Sequence, residues 1–366
     1  MREPSIVNER LFEPNQIRYA KEIIEPGIYR DGRWRYYDEP ELVSHSLCGK
    51  NFLLRPGLTF TPYANPTACN AHCLFCSEEL LRKDGEYLTA KRTIHDHDGY
   101  FKGLEKFFRE IRGFPLGLSL SGLEATNDSN WFLRLMELLE ENKDIFAEKV
   151  LYSNGSGLLR NPHFLDILIK LNFDRIELSR CSFDTEINQN IMRFNRTEPV
   201  YRQEGFLSLL DLLRDRIHTK LSCILNRKGV SSLKDIEDYI TKARQGGIKE
   251  IVFRELSQLG DLYHINSFVQ WIEDHRVSAR KFMDDIYPEK NKIREGWEFI
   301  AATCGYYYYN EIYSFQNVQV IFETSSYVVH QEAQTKGVIH KLVFHSNGDL
   351  CGDWVPNSNK LGNYYG

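Results

Sequence analysis

The chain has 366 residues, 42% apolar and 27% charged, enough to bury a full core in one large or two ordinary domains and too apolar for a disordered segment. A formal net charge of -5 argues against the basic surface that nucleic-acid binding requires, so no nucleic-acid partner is expected. The first residues lack a signal-type apolar core and no run approaches the about 18 apolar residues of a membrane span, which points to a cytoplasmic protein with no membrane association.

Residues 1–52 mix charge, aromatics and turn formers and read as a short N-terminal cap. Within it, Tyr29-Arg-Asp-Gly-Arg-Trp-Arg-Tyr-Tyr-Asp38 predicts a hairpin turning at Asp31-Gly32. From 57 to about 256, short β-type runs alternate with helical patterns, the signature of a parallel α/β sheet. The predicted strands are 57–61, 116–121, 149–154, 175–179, 220–225 and 250–256. Between them, stripes such as Leu104, Phe107, Phe108 and Ile111, or Phe206, Leu209, Leu210 and Leu213, recur at spacings of three and four, giving each helix one face to bury against the sheet. Six such units wound right-handedly make most of a barrel, and residues 53–290 read as that domain. Past 290 the pattern changes to an apolar strand at 318–322 and a hairpin over 341–351 turning at Asn347-Gly348. Residues 291–366 therefore read as a C-terminal α+β extension laid over the barrel mouth.

The stretch richest in chemistry is Cys69-Asn-Ala-His-Cys73-Leu-Phe-Cys76, which follows the first predicted strand and precedes the helix-like Ser77-Glu-Glu-Leu-Leu-Arg82. In a reducing compartment the eight cysteines read as metal ligands or free thiols. Three thiolates at CxxxCxxC spacing surround one small volume and suit a 4Fe-4S cluster, whose usual ligands are four cysteines, so that one iron is left open. A structural zinc site and chance spacing are the plainer readings. Zinc sites of that kind are almost always closed by a fourth protein ligand, and the sequence has no second CxxC or HxxxH to supply one.

The cysteine loop, down to the aromatic Phe75 before the third cysteine, resembles the cluster motif of the radical S-adenosylmethionine (radical SAM) enzymes. The resemblance implies a partial (β/α)6 TIM-type barrel, with Cys69, Cys73 and Cys76 holding a 4Fe-4S cluster whose open iron chelates S-adenosylmethionine. Ser121-Gly-Leu-Glu-Ala-Thr126 resembles the family's Gly-Gly-Glu-Pro motif, with Leu123 and Ala125 as departures, and implies that Gly122 and Glu124 hold the cofactor's amino group. The plain alternative is a strand-to-loop turn with a solvated acid. Ser153-Asn-Gly155 resembles the family's Thr-Asn-Gly and implies a cofactor role for Asn154. Ser179 and Arg180, at the end of the fourth predicted strand, match positions that in the family touch the ribose or carboxylate of the cofactor, although Arg180 equally fits a surface ion pair. The order of these pieces, with the phrase Cys181-Ser-Phe-Asp-Thr-Glu-Ile-Asn188, is similar to the barrels of the molybdenum-cofactor cyclase and of viperin. The resemblance covers residues 55 to 256, and the two ends resemble no family.

Three further residues are candidates for facing substrate. Arg254 and Glu255 end an apolar strand, where an unpaired charge is costly to bury, so they face either the open mouth or a neighbouring charge. Asp353, beside Trp354, either closes the mouth or anchors the terminus. Cys304 and Cys351 are too few for a second cluster, and Cys181 and Cys223 read as buried thiols. The expected function is reductive cleavage of S-adenosylmethionine to a 5'-deoxyadenosyl radical that takes hydrogen from a small metabolite, with reduced flavodoxin or ferredoxin as electron donor. A ribosomally made peptide is the alternative substrate. A non-catalytic iron-sulfur or zinc-binding protein is the alternative of another class.

Overall fold

The structure is a computed structural model and describes residues 6–10, 27–30, 33–37, 42–63, 65–83, 94, 96–289, 292–304, 308–328, 339–354 and 359–365. Six parallel strands form its centre: β5 (Lys50–Pro62), β6 (Leu116–Leu120), β7 (Phe146–Ser153), β8 (Arg175–Ser179), β9 (Thr219–Leu225) and β10 (Glu250–Glu255). They correspond to the six strands expected from the sequence, differing only at their ends. Helices α1 (His97–Glu110), α2 (Ser129–Glu141), α4 (His163–Lys170), α6 (Gln203–Leu213) and α7 (Leu233–Gln245) follow the expected apolar stripes. Leu104, Phe107 and Phe108 of α1 are fully buried, each contributing on the order of 2 kcal/mol by leaving water. The shorter helices α3 (Ser156–Arg160) and α5 (Thr185–Met192) have few apolar positions and did not stand out in the sequence.

The helix starts are set by side chains. Asp96, Asp128 and Asp184 accept the backbone N–H of Gly99, Trp131 and Ile187, and Ser232 with Asp235 makes a reciprocal capping box on α7. Each such cap is worth about 1 kcal/mol. After the cysteine loop, the expected helix is only a single 3-10 turn, Ser77–Glu79, because Leu80 turns extended at ψ 118. Arg82 then bridges to Tyr263, so the chain leaves the loop along the 258–266 segment rather than as a helix.

The C-terminal residues contribute strands to the sheet itself. Strand β13 (Val318–Glu323) pairs parallel to β10, and β14 (Ile339–Phe344) pairs parallel to β5, so the parallel sheet gains a strand at each edge. Beyond β13 the sheet continues antiparallel through β12 (Tyr309–Phe315), β11 (Trp297–Cys304) and the N-terminal strands β2 (Gly27–Arg30), β3 (Arg33–Tyr37) and β1 (Ile6–Arg10). Beyond β14 it continues through β15 (Asp349–Cys351) and β16 (Lys360–Asn363), while β4 (Val43–Leu47) pairs with β5. Among the described residues the sheet is an open, partial barrel.

Both expected hairpins form. Strands β2 and β3 pair with Arg30 opposite Arg33, the Asp31-Gly32 turn itself lying outside the described residues. Strands β14 and β15 pair around Gly348, whose φ of +78° explains the glycine after Asn347. Two further helices, α8 (Ser267–His275) and α9 (Ala279–Ile286), pack after β10.

Candidate functional site

The cysteine loop leaves the C-terminal end of β5, the end at which parallel barrels carry their sites. Asn65 shapes its entry: the side-chain N–H donates to the Glu124 carbonyl at 2.7 Å, and its Oδ1 accepts from Thr67 N–H at 2.8 Å. The middle is stitched to the C-terminal end of α5, where His72 N–H donates to the Arg193 carbonyl and Leu74 N–H to the Ile191 carbonyl. Cys76 N–H closes the last turn on the Cys73 carbonyl at 3.0 Å. The result is that Cys69, Cys73 and Cys76 all line one cavity of about 380 Å³, with Phe75 beside them. His72 is exposed and does not line it.

Burial pushes the Cys69 and Cys76 thiols up to about 12, and Cys73 well above its ordinary range. Cys73 is raised further by Cys76 and Cys69, so three crowded sulfurs repel one another as thiolates. Such an arrangement suits a group that supplies positive charge, because metal coordination deprotonates a thiol outright. Three thiolates around one cavity fit a 4Fe-4S cluster with one iron left open, whereas a structural zinc site takes four protein ligands.

The loop after β6 brings Gly122, Leu123 and Glu124 to the same cavity. Gly122 and Leu123 both have positive φ, +82° and +52°. Leu123 thus takes the left-handed backbone that a second glycine would take freely, at a cost of roughly 1–2 kcal/mol. Glu124 is almost completely buried, and its carboxylate accepts from Thr126 N–H at 3.2 Å, Ser153 Oγ at 2.8 Å, Asn154 N–H at 2.7 Å and the Thr126 hydroxyl. It is not the solvated acid of the plain sequence reading. Burial raises its pKa while these donors oppose the rise.

Through Glu124 the end of β7 is fixed in turn. Asn154 Nδ2 donates to Asn70 Oδ1 at 2.8 Å and lies 3.9 Å from Cys69 Sγ, while its Oδ1 accepts from Ser156 N–H. Gly155 then turns at φ +81°, where a Cβ would sit 2.2 Å from Leu209 Cδ2. Ser179, half-buried at the end of β8, completes this side of the cavity.

Arg180 does not join it. Its side chain points into the helix layer, where Nε donates to the Ser182 carbonyl at 2.8 Å, Nη1 to the Val200 carbonyl at 2.7 Å, and the guanidinium lies 4.5 Å from the Phe206 ring centroid. Neither a cofactor contact nor a surface ion pair describes it, and burial lowers its pKa to about 10.

Arg254 does line the cavity, held between Glu177 and Glu323 with 2.7 Å to each. Glu255 touches the cavity, but its carboxylate is taken up by Arg276 at 3.0 Å, Ala279 N–H at 3.0 Å and Ser325 N–H at 2.9 Å. It anchors the start of α9 rather than presenting a free acid. Asp353 is buried and does not line the cavity; its Oδ1 accepts from Trp354 N–H at 2.6 Å. The Trp354 ring lies against Gly122 and 5.0 Å below the Lys341 ammonium. Burial lowers the Lys341 pKa to about 8, partly countered by Asp353.

Tyr152, Glu177 and Glu323 were not singled out from the sequence, yet they cluster with Arg254. A signal existed for two of them: Glu177 lies two residues before Ser179 on the same strand face, and Glu323 directly follows the apolar run of β13.

No protein-family model matches the chain, and no curated protein matches it in sequence. Among solved structures it is similar to Streptococcus suis SuiB bound to S-adenosylmethionine, with a TM-score of 0.51 and 15% identity over 84% of this chain and 63% of that one. A second SuiB structure aligns with a TM-score of 0.50 and 14% identity over 85% of this chain and 64% of that one. The chain thus spans less than two thirds of SuiB's length and shares its fold.

Proposed function

We propose that the chain is a radical SAM enzyme that takes hydrogen from an organic substrate. The observation that carries this reading is the convergence of the CxxxCxxC cysteines, the Gly122–Glu124 loop and Asn154 on one cavity at the C-terminal end of an open parallel barrel. The barrel has the fold of SuiB, whose solved structure holds S-adenosylmethionine, which supports the same cofactor here. A bound 4Fe-4S cluster and S-adenosylmethionine would supply reductive cleavage to a 5'-deoxyadenosyl radical.

The protein's part is to bind, orient and exclude water. Cys69, Cys73 and Cys76 would hold the iron, and the left-handed turn at Gly122 and Leu123 would bring backbone carbonyls to the cofactor's amino group. Asn154 and Ser179 would border the cofactor. Glu124 acts through Ser153 and Asn154, as a positioning residue. Arg254 would face substrate, and Trp354 over Gly122 would shield the mouth, with Asp353 fixing that ring's backbone. Reduced flavodoxin or ferredoxin is the proposed electron donor.

The cavity of about 380 Å³ would hold the cofactor and the reacting group of the substrate together, a requirement met by a small metabolite and by one side chain of a peptide alike. A small metabolite is the substrate we favour. Cys304 on β11 and Cys351 on β15 lie on opposite arms of the sheet, which supports a single cluster of about four irons. Anaerobic titration tests the cofactor assignment: S-adenosylmethionine should change the EPR spectrum of the reduced cluster. An unchanged spectrum would favour a non-catalytic iron-sulfur protein.

A further inference from the structure

One wall of the cavity carries charges for which cluster and cofactor chemistry give no reason. Arg254 on β10 stands in register with Glu323 on β13, with 2.7 Å between Arg254 Nε and Glu323 Oε1. On its other side Arg254 Nη1 reaches Glu177 Oε1 on β8 at 2.7 Å. Two carboxylates therefore share one guanidinium. The other cations beside Glu177 are already engaged, Arg175 with Glu148 at 2.6 Å and Lys220, opposite Glu177 on β9, with Glu250 at 3.2 Å. Glu177 is buried, whereas Glu323 lines the cavity with 25% of its side chain exposed.

Tyr152 provides an independent observation. It lines the cavity from the end of β7 and is surrounded by Glu177, Arg254, Arg175 and Glu323, with burial raising its pKa. Its hydroxyl makes no hydrogen bond to any described residue. The residue is half-buried and opens on the cavity, so its phenol is placed to bond a polar group that enters there.

An arginine on a cavity wall ordinarily receives an anion. Here an anion would meet Glu323 on the same wall, and the guanidinium is already engaged by two acids. The wall is short of one positive charge. We propose that Tyr152, Glu177, Arg254 and Glu323 form a subsite for a protonated primary amine of the substrate. The ammonium would donate to Glu323 and to the Tyr152 oxygen, with the phenol ring offering an electron-rich face. This rests on the proposed function only in taking the cavity as the substrate site.

The alternative is a structural ion network tying β8, β10 and β13 together, and a stability measurement separates the two. Without metal or cofactor, n-butylammonium should raise the thermal midpoint of the wild type by about 2 °C at saturating concentration, and n-butyrate at equal ionic strength should not. Glu323→Gln should abolish that rise while melting no lower than the wild type, since it relieves the excess negative charge and leaves Glu177 on Arg254. Tyr152→Phe should reduce the rise without changing the basal midpoint by more than about 2 °C. Equal effects of the two probes, a response retained in Glu323→Gln, or a basal midpoint several degrees lower in that variant would overturn the proposal. Loss of the butylammonium response when S-adenosylmethionine is added would assign the wall to the cofactor and overturn it too. None of these readouts needs turnover, so a protein that cleaves S-adenosylmethionine but ignores butylammonium defeats the amine subsite alone.

Discussion

Replacing Glu124 by alanine tests whether this buried acid positions the site. Its two oxygens accept four hydrogen bonds, three on Oε1 from Thr126 N–H, the Thr126 hydroxyl and Ser153 Oγ, and one on Oε2 from Asn154 N–H at 2.7 Å. Hydrogen bonds to an ionised acceptor contribute about 1.5–3 kcal/mol each, but they are not additive, and both hydroxyls can turn toward water entering the adjacent cavity. The two backbone N–H groups cannot turn. A loss of about 3 kcal/mol is expected for Glu124→Ala, measured from urea unfolding of the metal-free protein. Glu124→Gln should lose less, about 1–2 kcal/mol, because its amide oxygen can keep the three donors while its NH2 group confronts Asn154 N–H. The order Ala below Gln below wild type is the signature of a positioning acid. A loss under about 0.5 kcal/mol in Glu124→Ala, within the range of ordinary surface substitutions, would refute the reasoning.

Gly155→Ala should cost about 2–3 kcal/mol in the same assay, since its φ is +81° and the new Cβ would sit 2.2 Å from Leu209 Cδ2; a neutral result would mean that α6 moves freely. Arg180→Ala should destabilise the fold by removing hydrogen bonds to Ser182 and Val200, yet leave S-adenosylmethionine affinity within about twofold by calorimetry; a tenfold loss, about 1.4 kcal/mol, would return Arg180 to the cofactor site. Lys341 should titrate near 8, followed by NMR of the 13C-methylated protein with Lys341→Arg for assignment. Unfolded, it keeps its proton to about 10.5, so between about 8 and 10.5 the unfolded state binds the extra proton and this residue's contribution to stability grows as pH rises. Titration of every lysine near 10.5 would contradict that placement.

The barrel strands were legible because their apolar runs alternate with helical stripes, and β8 was read to the residue as Arg175–Ser179. The cysteine loop was legible from spacing alone. What sequence reading missed follows from two physical facts. Adjacent residues leaving a strand tend to opposite faces, so Ser179 and Arg180 were unlikely companions, and Arg254 and Glu255 part in the same way: Arg254 meets the cavity while the Glu255 carboxylate turns to Arg276 and α9. The partners of Arg254 come from β8 and β13, and local pattern does not reveal which distant strand lies alongside β10. The apolar run of β13 was recognised as a strand, but only the topology makes it a wall of the barrel and gives Glu323 its place beside Arg254. Leu123 looked like a departure from a glycine motif, yet its backbone adopts the left-handed conformation at φ +52°, so the loop shape survives the substitution.

The most direct test of the central claim is the formation of 5'-deoxyadenosine by anaerobically reconstituted protein given S-adenosylmethionine and dithionite, alone and with candidate primary amines. The expected result is 5'-deoxyadenosine from wild-type protein carrying about four irons per chain, and none from protein in which Cys69, Cys73 and Cys76 are all replaced by alanine. A fully loaded wild type that forms no 5'-deoxyadenosine under any of these conditions would contradict the assignment of this cavity to radical chemistry.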